Sequence, residues 1–206
     1  MPVLTELQRD ALTEAFNLGM GAAAAALSEM VDEEVALCAP SLEFVKKADA
    51  AAMLNSRSLN GVSGVTQRFS GPFEGQAMLL FAGDKSLELV RSLLLNTAPL
   101  DRLTEFEEDA LNEIGNIILN AGLSSLGNMF EQEIHSGLPL YFHGSFDELL
   151  ELYDQAEEGL DMLMLLRIDF RLDKHEVEGY VVFLLSMGSV KRVVQLIDRF
   201  LEKIPT

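Results

Sequence analysis

The chain carries the same set of polar residues twice, at an offset of 99 positions from Asn17 to Asn116. The set consists of Asp10, Glu14 and Asn17 in the stretch DALTEAFN, and of Asp109, Glu113 and Asn116 in the stretch DALNEIGN. Residues three positions apart project side by side on a helix, so each glutamate lies next to its asparagine. A carboxylate and a carboxamide are therefore presented together, twice.

This pair of side chains favours one kind of chemistry. The carboxylate can form an ion pair with a cation on a partner, and the carboxamide offers a donor and an acceptor in fixed geometry. An amide is not a general base at neutral pH, but it can position a water molecule. Because positioning and electrostatics supply most of the catalysis in phosphoryl transfer, the pair predicts hydrolysis of a phosphoryl group that its carrier has already activated.

A longer stripe extends each pair along its helix. Asp10 and Gly21 complete a first stripe with the spacing i, i+4, i+7 and i+11, and Asp109 and Asn120 complete the second. A glycine at position 21 leaves no side chain that would block an approaching surface. We predict that these four residues take part in docking a partner.

The stripes require two long helices, and the sequence predicts where each begins. Both copies open with a capping box, which marks the start of a helix. The boxes are Thr5 with Gln8, and Thr104 with Glu107. The helices are predicted at roughly 6–28 and 105–127. In the first helix, Leu7, Ala11, Ala15 and Leu18 recur at helical spacing, and we expect this apolar face to lie opposite the acidic stripe.

The rest of each half reads as strands followed by a helix. Residues 64–82 predict two strands around a Gly-Pro turn, with a helix at about 85–95. The second half offers the same pattern, with a helix at about 189–203, after an acidic stretch at 146–158 that is either a helical excursion or a loop. The fold class is therefore α/β (α+β), with a pseudo-twofold repeat and a shared sheet. We expect one domain, 1–206, made of repeats at about 1–98 and 99–206.

Composition excludes several classes of function. The 206 residues carry a formal net charge of −18 with no basic block, which disfavours nucleic acid as a partner. No Gly-rich phosphate loop, signal peptide or membrane-spanning run is present. The single cysteine, Cys38, which we expect to be buried, indicates a reducing compartment and hence a cytoplasmic protein. The three histidines lack the spacing of metal ligands, so no metal site is predicted.

Both copies continue to a proline at the same distance, which completes a known signature. The pattern Asp/Ser-x3-Glu-x2-Asn-x22-Pro ends at Pro40 in the first copy and at Pro139 in the second. It resembles the signature of the CheC, CheX and FliY response-regulator phosphatases of chemotaxis. Two copies in 206 residues look most like CheC, because FliY carries a further flagellar-switch domain and CheX typically retains one copy.

The resemblance implies a fold, a substrate and residue roles. It implies a CheC-like fold, in which a continuous antiparallel sheet is flanked by helices, and hydrolysis of the aspartyl-phosphate of a CheY-like response regulator. Glu14 and Glu113 would pair with the lysine of the receiver, while Asn17 and Asn116 would orient the attacking water. The chain would need no cofactor of its own, since Mg²⁺ is expected on the receiver. The deamidase CheD is a further expected partner.

The first copy departs from the family pattern at one position. Phe16 replaces a glycine, and we expect its bulk beside Asn17 to narrow the approach. The second copy retains Gly115, so it is predicted to be the stronger site.

A non-catalytic interpretation competes with the phosphatase. The same fold could serve as an adaptor or sink that binds a phosphorylated receiver, CheD or a flagellar-switch component. An internal duplication also preserves residues by descent alone. The repeated asparagines favour the enzyme, because a pure binding protein would not need them.

Overall fold

The computed structural model describes residues 4–50, 52, 61–82, 85–94, 103–156, 160–172 and 175–203. The helices are α1 (Glu6–Val31), α2 (Lys85–Leu94), α3 (Leu103–Phe130), α4 (Phe146–Ala156) and α5 (Met187–Glu202). The strands are β1 (Val35–Lys46), β2 (Val62–Ser70), β3 (Gly75–Ala82), β4 (His135–Ser136), β5 (Leu140–Gly144), β6 (Leu160–Leu172) and β7 (His175–Ser186). The predicted boundary between the repeats, at 98/99, lies outside the described residues.

Seven strands form one continuous antiparallel sheet to which both halves contribute. The order is β1-β6-β7-β3-β2-β4, and β5 also pairs with β2. Strand β1 of the first half pairs with β6 of the second, and β3 pairs with β7 at the centre. Neither half therefore completes the sheet alone, which confirms the predicted shared sheet. That the chain is a single domain stays a prediction.

Helices cover both faces of the sheet, which explains the continuous apolar run from Tyr180 to Leu185 in the central strand β7. Along β3, successive side chains point to opposite faces. Ala77, Leu79 and Phe81 join the core beneath α1, α2, α3 and α5. Met78 and Leu80 join the smaller core beneath α4. The long helices that carry the repeated polar residues thus lie together on one face.

Helix α1 starts as predicted, whereas α3 starts earlier than predicted. Thr5 caps α1, and its capping box with Gln8 is present, with Gln8 N donating to Thr5 Oγ1 at 3.2 Å. The second box is wrong, because α3 already begins at Leu103 and includes Thr104. The carboxylate of Glu107 is buried and instead accepts a hydrogen bond of 2.6 Å from Ser86 Oγ on α2.

Helices α1 and α3 pack closely against each other and run in opposite directions. Ser125 Oγ donates to the backbone oxygen of Ala15, and farther along α1 a Cβ on Gly19 would lie 2.8 Å from the backbone oxygen of Ala121. Such a contact excludes any larger residue at position 19 unless the helices move apart. The contact moves from Ala15 to Gly19 along α1 while it moves back from Ser125 to Ala121 along α3, so the two helices are antiparallel.

The predicted apolar face of α1 was wrong by part of a turn. Leu7 and Leu18 are 63% and 65% exposed, whereas Leu12 and Phe16 are fully buried against the sheet. The acidic stripe is exposed as expected, but Leu7 and Leu18 flank it rather than oppose it. Cys38 is also exposed, contrary to expectation.

The acidic stretch after β5 forms helix α4, which resolves the alternative left by the sequence. A capping box begins it: Ser145 N donates to Glu148 Oε2 at 2.7 Å, and Glu148 N donates to Ser145 Oγ at 3.1 Å. The Ser145 backbone amide, and then its hydroxyl, lower the pKa of Glu148. Among the helices that the structure describes, none has the length and apolar character needed to cross a membrane.

Candidate functional site

The repeated residues lie in the first halves of α1 and α3, as their spacing predicts. Glu14 and Glu113 are exposed, while Asn17 and Asn116 are half-buried beside them. In each copy, then, a fully hydrated carboxylate lies next to a carboxamide that the protein partly encloses. The orientation of each asparagine side chain is therefore set by its hydrogen bonds within the protein.

The antiparallel packing places the two copies toward opposite ends of the helix pair. Since Ala15 lies opposite Ser125, position 17 of α1 lies opposite about position 123 of α3. That level is about seven residues beyond Asn116, or roughly 10 Å along the axis at 1.5 Å per residue. The two asparagines therefore form two separate sites rather than one composite site.

In the first copy, the carboxamide of Asn17 is used to hold strand β1. Ala39 N donates to Asn17 Oδ1 at 2.9 Å, and Asn17 Nδ2 donates to Ala39 O at 3.5 Å. Here β1 contains a bulge, because Ala39 and Pro40 together face the single residue Ile168 of β6. A bulge leaves backbone groups without partners in the sheet, and proline is tolerated there because it has no N–H. The Asn-x22-Pro spacing of this copy therefore has a structural explanation.

In the second copy, the corresponding bond is absent and Asn116 has other partners. Asn120 Nδ2 donates to Asn116 Oδ1 at 2.7 Å. Ser136 Oγ on β4 donates to Asn120 Oδ1 at 2.6 Å, and Gln67 Nε2 on β2 reaches the same oxygen at 3.4 Å. Within the described part of the chain, the NH₂ group of Asn116 donates no hydrogen bond. Its two hydrogens therefore remain available to a partner molecule.

The residue before each asparagine faces the core, which corrects the prediction for Phe16. Phe16 is fully buried and stacks against Phe183 with ring centroids 5.5 Å apart, so it does not narrow the approach to Asn17. At the equivalent Gly115, a Cβ would lie 2.7 Å from Cβ of Val65 on β2. Glycine is required in the second copy because α3 approaches the sheet more closely there.

The predicted docking residues differ in how freely they face a partner. Asp10 and Asp109 are exposed. A Cβ on the exposed Gly21 would meet no other heavy atom within 4 Å, so the surface there is open. The side chain of Asn120 is half-buried and bonded internally, to Asn116 on one side and Ser136 on the other.

Exposed apolar side chains accompany both acidic stripes. The sequence predicted Leu7 and Leu18 on the face opposite the first stripe, and it did not single out Leu138 or Leu140. Beside the first copy, an apolar groove of about 670 Å³ between α1, α3 and α5 is lined in part by Leu7, Leu18 and Glu14. Beside the second copy, Leu138 is 85% exposed and Leu140 is 66% exposed. Leu138 follows Gly137, whose backbone oxygen accepts a hydrogen bond of 2.7 Å from Gln67 Nε2. An apolar surface next to an acidic one is typical of a docking site.

One electrostatic feature belongs to the start of α3. Burial raises the pKa of Tyr141 on β5, and the carboxylates of Glu107 and Glu108 raise it further. The Tyr141 hydroxyl therefore stays protonated at neutral pH. Among the described residues, no three His, Cys, Asp or Glu side chains are grouped as a metal site requires.

The chain is similar in sequence and in structure to known proteins. No protein-family model matches the chain. The flagellar motor switch phosphatase FliY of Bacillus subtilis is 24% identical over 182 residues, which cover 84% of this chain and 44% of that protein. The crystal structure of Thermotoga maritima FliY superposes with a TM-score of 0.73 at 18% identity, and the match covers 96% of this chain and 99% of that one.

The chain resembles the CheC, CheX and FliY family, as predicted. Its mixed fold with a seven-stranded antiparallel sheet is confirmed by the FliY superposition. The FliM middle domain of H. pylori shares the fold with a TM-score of 0.63 at 11% identity, covering 94% of this chain and 99% of that one. Since the FliM middle domain shares the fold, the fold alone does not assign an activity to this chain.

Proposed function

We propose that the chain is a phosphatase that hydrolyses the aspartyl-phosphate of a CheY-like response regulator, with Glu113 and Asn116 of α3 as its principal site. One observation carries the proposal. Asn116 lies one turn from an exposed glutamate, its oxygen is held by Asn120, and its NH₂ group donates to no residue that the structure describes. The curated relative FliY is named a flagellar motor switch phosphatase, which supports the same class of reaction.

The proposed reaction is an in-line displacement at phosphorus. The oxygen of a water molecule forms a bond to phosphorus while the bond between phosphorus and the aspartyl oxygen breaks. The aspartate carboxylate of the receiver is restored, and inorganic phosphate leaves with the oxygen and the protons of the water. Asn116 holds the attacking water opposite the leaving oxygen, and most of the acceleration comes from this positioning.

Glu113 is proposed to align the receiver rather than to exchange protons. Its carboxylate is exposed and pairs with the active-site lysine of the receiver through a charge-assisted hydrogen bond. Mg²⁺, expected on the receiver, neutralises charge on the phosphoryl oxygens. Asp109 and Leu138 add an acidic and an apolar contact beside the site, which a receiver with basic and apolar surface residues would match.

Glu14 and Asn17 are proposed as a weaker second site. A receiver could pair with Glu14, but Asn17 would first have to release the backbone of Ala39. That release would leave a buried N–H without a partner, at a cost of about 1–3 kcal/mol. The two copies therefore share residue types, but only the asparagine of the second copy can meet a receiver without first breaking a backbone hydrogen bond.

The competing function is an adaptor that binds a phosphorylated receiver, CheD or a flagellar-switch component without hydrolysis. The fold shared with the FliM middle domain is compatible with it. An adaptor would need the exposed acids and leucines but not a free amide beside Glu113. We favour the phosphatase for that reason.

The proposal is tested with a CheY-like receiver phosphorylated by acetyl phosphate, freed of the donor and followed in Mg²⁺ by release of inorganic phosphate. The chain should accelerate release, and the double variant Asn17→Ala and Asn116→Ala should abolish the acceleration. Binding is measured separately by titrating the receiver activated with beryllofluoride. Binding by the intact chain without any acceleration would establish the adaptor and contradict the phosphatase.

A further inference from the structure

Asn116 belongs to a chain of amide hydrogen bonds that extends from α3 into the sheet. Asn120 Nδ2 donates to Asn116 Oδ1 at 2.7 Å, and Gln67 Nε2 donates to Asn120 Oδ1 at 3.4 Å. Gln67 Nε2 also donates to the backbone oxygen of Gly137 at 2.7 Å. We call Gln67, Asn120 and Asn116 the amide relay.

One backbone carbonyl determines the direction of every amide in the relay. The oxygen of Gly137 can only accept, so the group of Gln67 that faces it must be its NH₂. The same NH₂ faces Asn120, which must therefore present its oxygen to Gln67. Asn120 is left to present its NH₂ to Asn116, so the oxygen of Asn116 points inward and its NH₂ points to the partner.

We propose that Gln67 and Asn120 are positioning residues for the reaction of Asn116, a step that rests on the proposed function. They fix which end of the Asn116 amide meets the phosphorylated receiver. The NH₂ group has two hydrogens, so it can donate one to a phosphoryl oxygen and the other to the oxygen of the attacking water. An amide free to rotate would present the wrong end part of the time.

The burial of Gln67 supports this role. Gln67 is 2% exposed in strand β2, and its Oε1 atom is buried without a hydrogen-bond partner among the described residues. A buried acceptor without a partner costs about 1–3 kcal/mol. Turning the amide over would place its oxygen against the oxygen of Gly137. In the observed orientation, therefore, the NH₂ group of Gln67 donates to Gly137 and Asn120, while its Oε1 atom is left without a hydrogen bond.

The first copy provides an internal comparison, because it lacks the relay. Position 21, which corresponds to Asn120, is a glycine, and a Cβ there would face open space. Without a side chain there, the amide of Asn17 is bonded to the backbone of Ala39 instead. The relay thus accompanies the copy whose asparagine remains available.

The sharpest test is the nearly isosteric variant Asn120→Asp. Its carboxylate still accepts from Ser136 and Gln67 but cannot donate to Asn116, so Asn116 is expected to turn its NH₂ inward. We expect kcat for receiver dephosphorylation to fall by about 10- to 100-fold, the range of a misplaced reacting group. The Kd for the beryllofluoride-activated receiver should stay within about twofold, because the contacts of Glu113 are unchanged.

Two controls separate positioning from charge and from folding. Gln132→Glu adds the same negative charge at an exposed position two residues beyond the end of α3, and should leave kcat unchanged. Asn120→Gly removes the donor without adding charge and should reproduce the fall in kcat even if the aspartate variant folds poorly. In an Asn116→Ala background, Asn120→Asp should have no further effect, because coupled residues are not additive.

The outcomes distinguish the relay from the proposed function. A fall in kcat with Asn120→Asp at constant Kd, absent in the Asn116→Ala background, would establish the positioning role. If the intact chain accelerates dephosphorylation and both Asn120 variants do so equally well, the relay is refuted while the phosphatase stands. If the intact chain binds the receiver without accelerating release, the phosphatase is refuted and the relay's role with it.

Discussion

The same substitution should destabilise the protein much more at Asn17 than at Asn116, because Asn17 holds a strand and Asn116 faces a partner. Asn17→Ala leaves the N–H of Ala39 unpaired in a residue that is 1% exposed. Leaving such a group unpaired costs about 2 kcal/mol. Asn116→Ala removes a bond between two half-buried side chains that water can replace, at a cost of about 0.5 kcal/mol. Alanine's better helix propensity applies at both positions and cancels in the comparison.

The difference of about 1.5 kcal/mol can be measured by thermal unfolding. For a chain of this size, 1 kcal/mol shifts Tm by about 2–4 °C, so Asn17→Ala should melt roughly 3–6 °C below Asn116→Ala. Asn17→Asp keeps an acceptor for Ala39 N and should recover much of the loss. Equal Tm values for the two alanine variants, or a lower value for Asn116→Ala, would refute the assignment of Asn17 to β1.

Three further predictions concern positions beside the sites and the cap of α4. Gly115→Ala should lower Tm, because its Cβ would lie 2.7 Å from Val65 and overpacking costs about 1–3 kcal/mol. The matched control Gly21→Ala has open space around it and should raise the stability by about 0.5–1 kcal/mol. The opposite order of the two variants in calorimetry would contradict the geometry. Phe16→Ala should destabilise the protein by about 3–5 kcal/mol in urea unfolding, because Phe16 is fully buried, and a small effect would restore the view that it lies beside Asn17. The lowered pKa of Glu148 means that its carboxylate stabilises the fold above its ordinary pKa of 4.5 and that this contribution is lost as pH falls through the lower folded value. The gap in stability between the native chain and Glu148→Gln should therefore close in acid, and a gap independent of pH would exclude the capping role.

The sequence predicted the repeat and the exposed stripes because both depend on local spacing. Periodicity placed α1 and α3 within a few residues of their observed bounds, and the Thr5 box is present as expected. The prediction of the apolar face of α1 was wrong because Leu7 and Leu18 line a groove between helices instead of facing the sheet. Tertiary packing decides between these two placements. The side chain of Phe16 was misplaced for the same reason.

The roles of the asparagines depend on partners far away in the sequence. Nothing local distinguishes Asn17, which bonds Ala39 across 22 positions, from Asn116, whose relay reaches Gln67 on β2. Gln67 gave no clear signal, because it lies between the polar residues Thr66 and Arg68 in a strand of mixed composition. The bulge at Ala39 gave no signal either, since it arises from the pairing of β1 with β6 in the other half.

The most direct test of the account is the rate of phosphate release from a phosphorylated CheY-like receiver with Asn17→Ala and with Asn116→Ala, each compared with the intact chain below its unfolding temperature. We predict that Asn116→Ala loses the acceleration by about 100-fold or more, as when one donor to a reacting group is removed, while Asn17→Ala keeps most of it. Loss of activity with Asn17→Ala and retention with Asn116→Ala would contradict the assignment of the catalytic surface to α3.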